Sequence, residues 1–273
     1  MGTQLTSRVV VITGAGSGIG AAIAIKFVEE SEPQTGLRLV ITDRNGETLA
    51  RTVETCLSGG RLIKENLVSV VGDITEAGTR EELVKATLTG FGKLDVLVNC
   101  AGILIPGSSV PGADPKDADL MMETNVKSVY QLVLAFRESL IKSKGAIVNL
   151  SSVCAFKPST NRLFYCMSKA ALEQVTRCMA LEYAKFGVRV NSVAPGVIHT
   201  DIHSHRDTYE STKVSGVNEY YDAQAAQNPM KRNGTPSEVA DAVFFLASSK
   251  ASFINGHSLV VDGGLSFAGP LLD

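Results

Sequence analysis

Arg8-Val-Val-Val-Ile-Thr13, running straight into Gly14-Ala-Gly-Ser-Gly18-Ile-Gly20, decides the architecture of this chain. The residues between Arg8 and Thr13 are apolar and β-branched without polar alternation, the pattern of a strand covered on both faces. An Ala/Ile-rich helical pattern follows to Glu30, so the glycine-rich stretch reads as a tight strand-to-helix turn. Glycines let the backbone turn there and approach a ligand closely, and the free N–H groups and positive dipole end of the helix favour an anion. A pyrophosphate suits such a turn. Further apolar runs at Leu37–Thr42, Leu67–Val71, Leu94–Val98, Ala146–Leu150, Val188–Val193 and Ser258–Val261 alternate with helical patterns. The chain therefore predicts an α/β fold: one doubly wound parallel sheet of about seven strands with helices on both faces.

Chemistry concentrates between Ser152 and Lys169. Tyr165 and Lys169 stand four residues apart at the head of a helical pattern running to Phe186, so they share one face. A fixed ammonium beside a phenol favours the phenolate by opposite charge, making Tyr165 a candidate acid/base near neutral pH. Ser152 follows the apolar run Ala146–Leu150, and its hydroxyl can donate to a carbonyl oxygen.

With Thr13-Gly14-x-x-x-Gly18-x-Gly20, Asn99-Cys-Ala-Gly102, Asn125, Ser152, Tyr165-x-x-x-Lys169 and Pro195-Gly196 with Thr200, the chain resembles the short-chain dehydrogenase/reductase family from about Thr6 to Gly264. Cys100 departs from the pattern, which usually has a second Asn there. The branch it is most similar to is that of the 3-oxoacyl-[acyl-carrier-protein] reductases. The resemblance implies a Rossmann fold over residues 1–273 as a single NAD(P)-binding domain. It also implies an oxidoreductase moving hydride between nicotinamide and a secondary alcohol/ketone pair. Ser152 then polarises the carbonyl oxygen, Tyr165 exchanges the proton, Lys169 holds a ribose hydroxyl, and Asn125 completes a proton relay through a water. The implied cofactor contacts are Gly14, Ser17, Gly18, Ile19, Gly20, Asn99, Ala101 and Gly102 along the turn and the fourth strand. Asp73 and Ile74 would lie at the adenine, with Pro195, Gly196, Ile198 and Thr200 around the nicotinamide. The alternatives are an NADPH-dependent 3-oxoacyl thioester reductase and a dinucleotide-binding protein without catalysis; intact Asn125, Ser152, Tyr165 and Lys169 speak against the latter.

Asp43-Arg44 closes the second strand. The carboxylate can accept from adenosine ribose hydroxyls and would repel a 2′-phosphate, whereas Arg44 would attract one. In the resembled family an Asp here usually accompanies NAD, and Ser17 is neither Lys nor Arg, so NAD is favoured over NADP. Asp73 also reads as a residue of a strand-to-helix turn, and Asn99 as an amide tying neighbouring loops together.

The net charge of −2 gives no electrostatic case for nucleic acid or an anionic membrane. No apolar run approaches the length of a spanning helix. Five cysteines without metal-type spacing, Cys154 and Cys166 among them, fit reduced thiols and a cytoplasmic location. Met1-Gly2 with Thr6 matches an acylation pattern that is read as accidental. His199, His203 and His205 lack accompanying carboxylate or Cys ligands, so no metal is expected. The loop 103–115 is expected at the substrate mouth. Residues 201–230, polar and aperiodic, are expected to form a substrate lid. Thr235-Pro236 with Glu238 predicts a capping box. A homotetramer is implied by the resemblance alone. Substrate identity and reaction direction are not written in these motifs.

Overall fold

A computed structural model describes residues 8–31, 36–105, 114–200 and 217–267. The lid expectation therefore falls partly, at 201–216, outside the described residues; so do 106–113 of the expected mouth, His203, His205, Gly2 and Thr6.

The sheet has seven parallel strands in the order β3-β2-β1-β4-β5-β6-β7. They are β1 (Val9–Thr13), β2 (Arg38–Asp43), β3 (Leu67–Val71), β4 (Val96–Asn99), β5 (Ala146–Leu150), β6 (Arg189–Pro195) and β7 (Ser258–Val261). Strand β1 is buried along its whole length because it pairs on both sides and has helices above and below. The order reverses between β1 and β4, and a crevice opens beyond the carboxyl ends of the strands at such a reversal.

One face is covered by α1 (Gly18–Glu29), α2 (Gly46–Ser58) and α9 (Pro236–Ala247), which bring Ile23, Phe27, Leu49, Val243 and Leu246 against Ile12, Leu39 and Val98. The other is covered by α3 (Ala77–Phe91), α5 (Ser128–Ala135), α6 (Arg137–Ser143) and α7 (Leu163–Tyr183), with Leu83, Phe136, Leu140 and Met179 against Val11, Leu97 and Ile147. Asn45 caps α2 by accepting from the N–H groups of Glu47 and Thr48, and the predicted capping box at Thr235 and Glu238 is present on α9. Helix α8 (Val217–Gln227) precedes α9.

The stretch between β4 and β5, whose apolar residues recur at helical spacing from Asp117 to Lys144, is not one helix. Helix α4 (Pro115–Met122) passes through a π turn at Glu123–Lys127 into α5, and a further break at Phe136 separates α6. A π turn holds one residue more than an α turn, so apolar spacing on either side still looks helical while the faces are rotated.

Candidate active site

At the carboxyl edge the glycine turn is shaped by backbone packing. Gly14 has φ +68°, and a Cβ there would lie 2.7 Å from Ala101 Cα. A Cβ on Gly20 would lie 1.9 Å from the Gly14 carbonyl oxygen. Thr13 locks this floor, its hydroxyl accepting from the N–H groups of Cys100 and Ala101, both at 3.1 Å. Ser17 at the head of α1 makes no side-chain cap, and no acidic residue occupies the first turn. The end of α1 is thus an anion-binding terminus beside a cradle that a Cβ would fill, and it fits the pyrophosphate of a dinucleotide.

The cleft beyond it has a volume of about 290 Å³. It is lined by Gly14, Ser17, Gly18, Ile19 and Gly20, by Asp43 and Arg44 after β2, and by Asp73 and Ile74 after β3. Ala101 and Gly102 after β4, Tyr165 and Lys169 on α7, and Pro195 and Thr200 after β6 complete it among the expected residues. Asp43 accepts from the Gly16 N–H through Oδ2 and from the Asn45 N–H through Oδ1, each at 2.9 Å, which fixes its carboxylate at the rim of the turn. Arg44 is exposed. Asp73 forms a local turn by accepting from the Thr75 N–H and hydroxyl at 2.8 and 2.7 Å, and it caps no helix, since Glu76 precedes α3.

Five of the expected residues stand behind the lining. Asn99 is buried and donates to Asn149 Oδ1 at 2.8 Å; Asn149 in turn donates to Thr176 on α7 at 2.9 Å. Gly196 packs on Asp262, where a Cβ would lie 2.6 Å from that residue's Cβ, and Ile198 is buried beside Gly234. Asn125 sits on the π turn, accepts from the Ile103 N–H at 2.8 Å, and donates to Ile103 O and Ser168 Oγ, both at 3.0 Å. Ser152 is buried after the end of β5, accepts from the Cys154 N–H at 3.2 Å, and stands beside the Tyr165 phenol.

Tyr165 lies in a small apolar cluster with Ile105, Met121 and Cys154. Burial pushes its pKa up, with Cys154 adding to the rise, while the Ser152 hydroxyl and the Arg162 charge pull it back only in part. This corrects the expectation of a phenol held low by Lys169. The ammonium is 5.6 Å from the ring centroid, its Nζ donates to Leu150 O at 2.8 Å, and desolvation outweighs what its charge offers. Tyr165 is therefore a neutral phenol at pH 7, the proton-donating form.

Lys169 is 5% exposed, and burial brings its pKa down to about 8 from 10.5. Between those values the folded protein holds fewer protons than the unfolded chain, so this group makes stability rise with pH across that window. In Lys169→Met the contribution is gone. The variant's stability relative to wild type should fall by on the order of 3 kcal/mol from pH 8 to pH 10.5, measured by urea unfolding of the ligand-free protein. A flat difference across the window would show that the ammonium is not buried at a cost.

Three residues not singled out from the sequence also shape the site. Arg162, three positions before Tyr165, hydrogen-bonds the Tyr220 hydroxyl of α8 and lies against the Cys154 thiol. Tyr221 donates to Thr200 O at 2.7 Å, and its ring lies 4.4 Å from His199. The only legible signal was the tyrosine pair itself, in a stretch too weakly amphipathic to show a helical period.

A family model described as enoyl-(acyl carrier protein) reductase matches residues 14–266. The 2-(R)-hydroxypropyl-CoM dehydrogenase of Xanthobacter autotrophicus is 35% identical over 262 residues, spanning 94% of this chain and 98% of that protein. The L-fucose dehydrogenase of Mus musculus is 35% identical over 262 residues, spanning 96% and 89% respectively. Among solved structures, a short-chain dehydrogenase/reductase of unknown function from Caenorhabditis elegans, crystallised with cofactor, superimposes with a TM-score of 0.89 at 33% identity, covering 97% of each chain. The strand order, the glycine turn and these likenesses agree: the chain belongs to the short-chain dehydrogenase/reductase family and is a nicotinamide-dependent oxidoreductase of alcohol groups.

Proposed function

We propose that the protein is an NAD-dependent dehydrogenase of a secondary alcohol, with Ser152, Tyr165, Lys169 and Asn125 as its reacting and supporting residues. The observation that carries this is Tyr165 and Lys169 side by side in the cleft lining, with Ser152 beside the phenol from behind. Nicotinamide, when bound, supplies the hydride acceptor or donor. Ser152 orients and polarises the substrate oxygen. In the reducing direction Tyr165 gives that oxygen a proton, and in the oxidising direction it takes one. Lys169 offers its remaining N–H groups to a ribose hydroxyl. Asn125, bonded to Ser168 on α7 and to the Ile103 backbone, holds α4 and the loop after β4 against the catalytic helix and supports a proton path. Gly14, Ser17, Gly18, Ile19 and Gly20 receive the pyrophosphate, Asp73 and Ile74 the adenine, and Ala101, Gly102, Pro195 and Thr200 the nicotinamide riboside. Asn99, Gly196 and Ile198 act from behind by fixing the backbone that touches it.

Asp43 favours NAD because a carboxylate tethered by two backbone N–H groups at the cleft rim accepts from ribose hydroxyls and repels a phosphate. In a fluorescence titration, wild type should bind NADH at least about tenfold more tightly than NADPH, and Asp43→Asn should narrow or reverse that ratio. Tighter NADPH binding by wild type would assign the rim to Arg44 and the protein to NADP.

The same reading makes the protein a single domain, with α8 as part of the substrate cover, and places it in the cytoplasm, where free thiols such as Cys154 and Cys166 persist. It also makes the protein a homotetramer. Tyr130 and Leu134 on α5 and Leu181 on α7, all exposed, supply apolar surface for partner subunits.

A further inference from the structure

Two cations stand near Tyr165. Lys169 is committed to Leu150 O and the cofactor side. The other is Arg162, half-buried at the head of α7. Its guanidinium donates to the Tyr220 hydroxyl, lies 5.5 Å from the Tyr220 ring centroid, and rests against the Cys154 thiol. Cys154 belongs to the apolar cluster holding Tyr165, and neither Arg162 nor Cys154 lines the cofactor cleft. Among the described residues no carboxylate lies within 4.0 Å of Arg162; Arg8, Arg61, Arg80 and Arg189 also lack one but donate to backbone carbonyls, whereas Arg162 donates to a side-chain hydroxyl. A guanidinium carries five donors, and among the described residues those of Arg162 meet only neutral groups. Withdrawing a charge from water without an opposite one is costly, and an arginine kept so beside a reacting centre fits an anion supplied from outside.

We propose that Arg162 receives the anionic group of the substrate, so that the alcohols and ketones turned over are hydroxy acids and oxo acids. This deepens the dehydrogenase reading above and rests on it. The Tyr220 contact serves the same end: a phenol oxygen accepting one N–H and a ring against the guanidinium plane hold the fork in place, so that its remaining N–H groups point in a fixed direction. Lysine in its place would keep the charge and lose the fork.

The test uses the full-length protein with NAD and a panel of 2-, 3- and 4-hydroxy acids, each paired with its own methyl ester, together with butan-2-ol as a neutral reference. Wild type, Arg162→Gln and Arg162→Lys are compared by kcat/KM, and NADH titration of each variant checks that the fold and cofactor site are intact. The expected result is a wild-type preference for at least one acid over its ester of about tenfold or more, carried by KM. That ratio should collapse toward one in Arg162→Gln and recover in part in Arg162→Lys. Turnover of esters or butan-2-ol as good as that of every acid, or an acid-to-ester ratio that Arg162→Gln leaves unmoved, overturns the assignment of Arg162 while sparing the dehydrogenase. Turnover of no alcohol on the panel despite normal NADH binding overturns both.

Discussion

Tyr165→Phe should lower turnover in either direction by about 10³-fold while leaving NADH affinity within a factor of about two. The phenol is buried among Ile105, Met121 and Cys154, so a phenyl ring keeps the same packing and only the hydroxyl is lost. Ser152 retains its hydrogen bond from the Cys154 N–H. On the proposed reading the pyrophosphate and adenosine sit at the glycine turn and the ends of β2 and β3, a part of the cleft lining separate from the ring. Wild type carries a second signature. Burial holds the phenol pKa above its usual value, so the base form needed for alcohol oxidation grows with pH while the acid form needed for reduction is full at neutrality. Oxidation should therefore climb through the neutral and mildly alkaline range, with no such climb in the variant's residual rate. Steady-state kinetics in both directions with an NADH titration check this; retention of more than about a tenth of wild-type turnover would remove Tyr165 from the proton transfer.

Gly20→Ala is expected to be the most damaging single methyl addition in the turn. The new Cβ would sit 1.9 Å from the Gly14 carbonyl oxygen and 2.7 Å from its carbon, with Ala15 Cα at 3.1 Å. These are backbone atoms, so no rotamer relieves the clash, and α1 must move away from β1. Overpacking of this kind costs about 3 kcal/mol. The displacement also opens the helix end that receives the pyrophosphate, so NADH affinity should fall by at least about a hundredfold. Gly90→Ala is the control, since a Cβ there meets nothing within 4 Å on the exposed side of α3. Thermal unfolding and NADH titration of both variants decide the matter, and equal behaviour of the two would mean that the turn is not closely packed.

What could be read from the sequence was what depends on neighbours along the chain. A strand buried on both faces must be a continuous apolar run, which made β1 and β5 visible, and a backbone that must come within contact of another leaves glycines behind. Tyr165 and Lys169 share a face because four residues are one helical turn. What could not be read depends on which strand lies beside which. Asn149 went unremarked within the apolar run Ala146–Leu150, yet it is the middle of a ladder from Asn99 to Thr176 whose members meet only because β4, β5 and α7 are neighbours. The extra residue of the π turn was hidden by spacing that stays apolar on both sides of Asn125. The Tyr165 acidity was misjudged for a related reason: charge proximity can be counted along a helix, but the desolvation that outweighs it belongs to the apolar cluster brought in from Ile105 and Met121.

The Thr13 hydroxyl and the buried Asn ladder also bear on the order in which the molecule forms. Thr13 meets Cys100 across 87 residues, Asn99 meets Asn149 across 50, and Asn149 meets Thr176 across 27. Each closure costs chain entropy before any contact repays it, and together they make this edge of the sheet a late product of folding. No short fragment contains it. The glycine turn lies near the start of the chain, but its floor closes only when Cys100 and Ala101 reach Thr13, and the ladder behind that floor only when α7 docks.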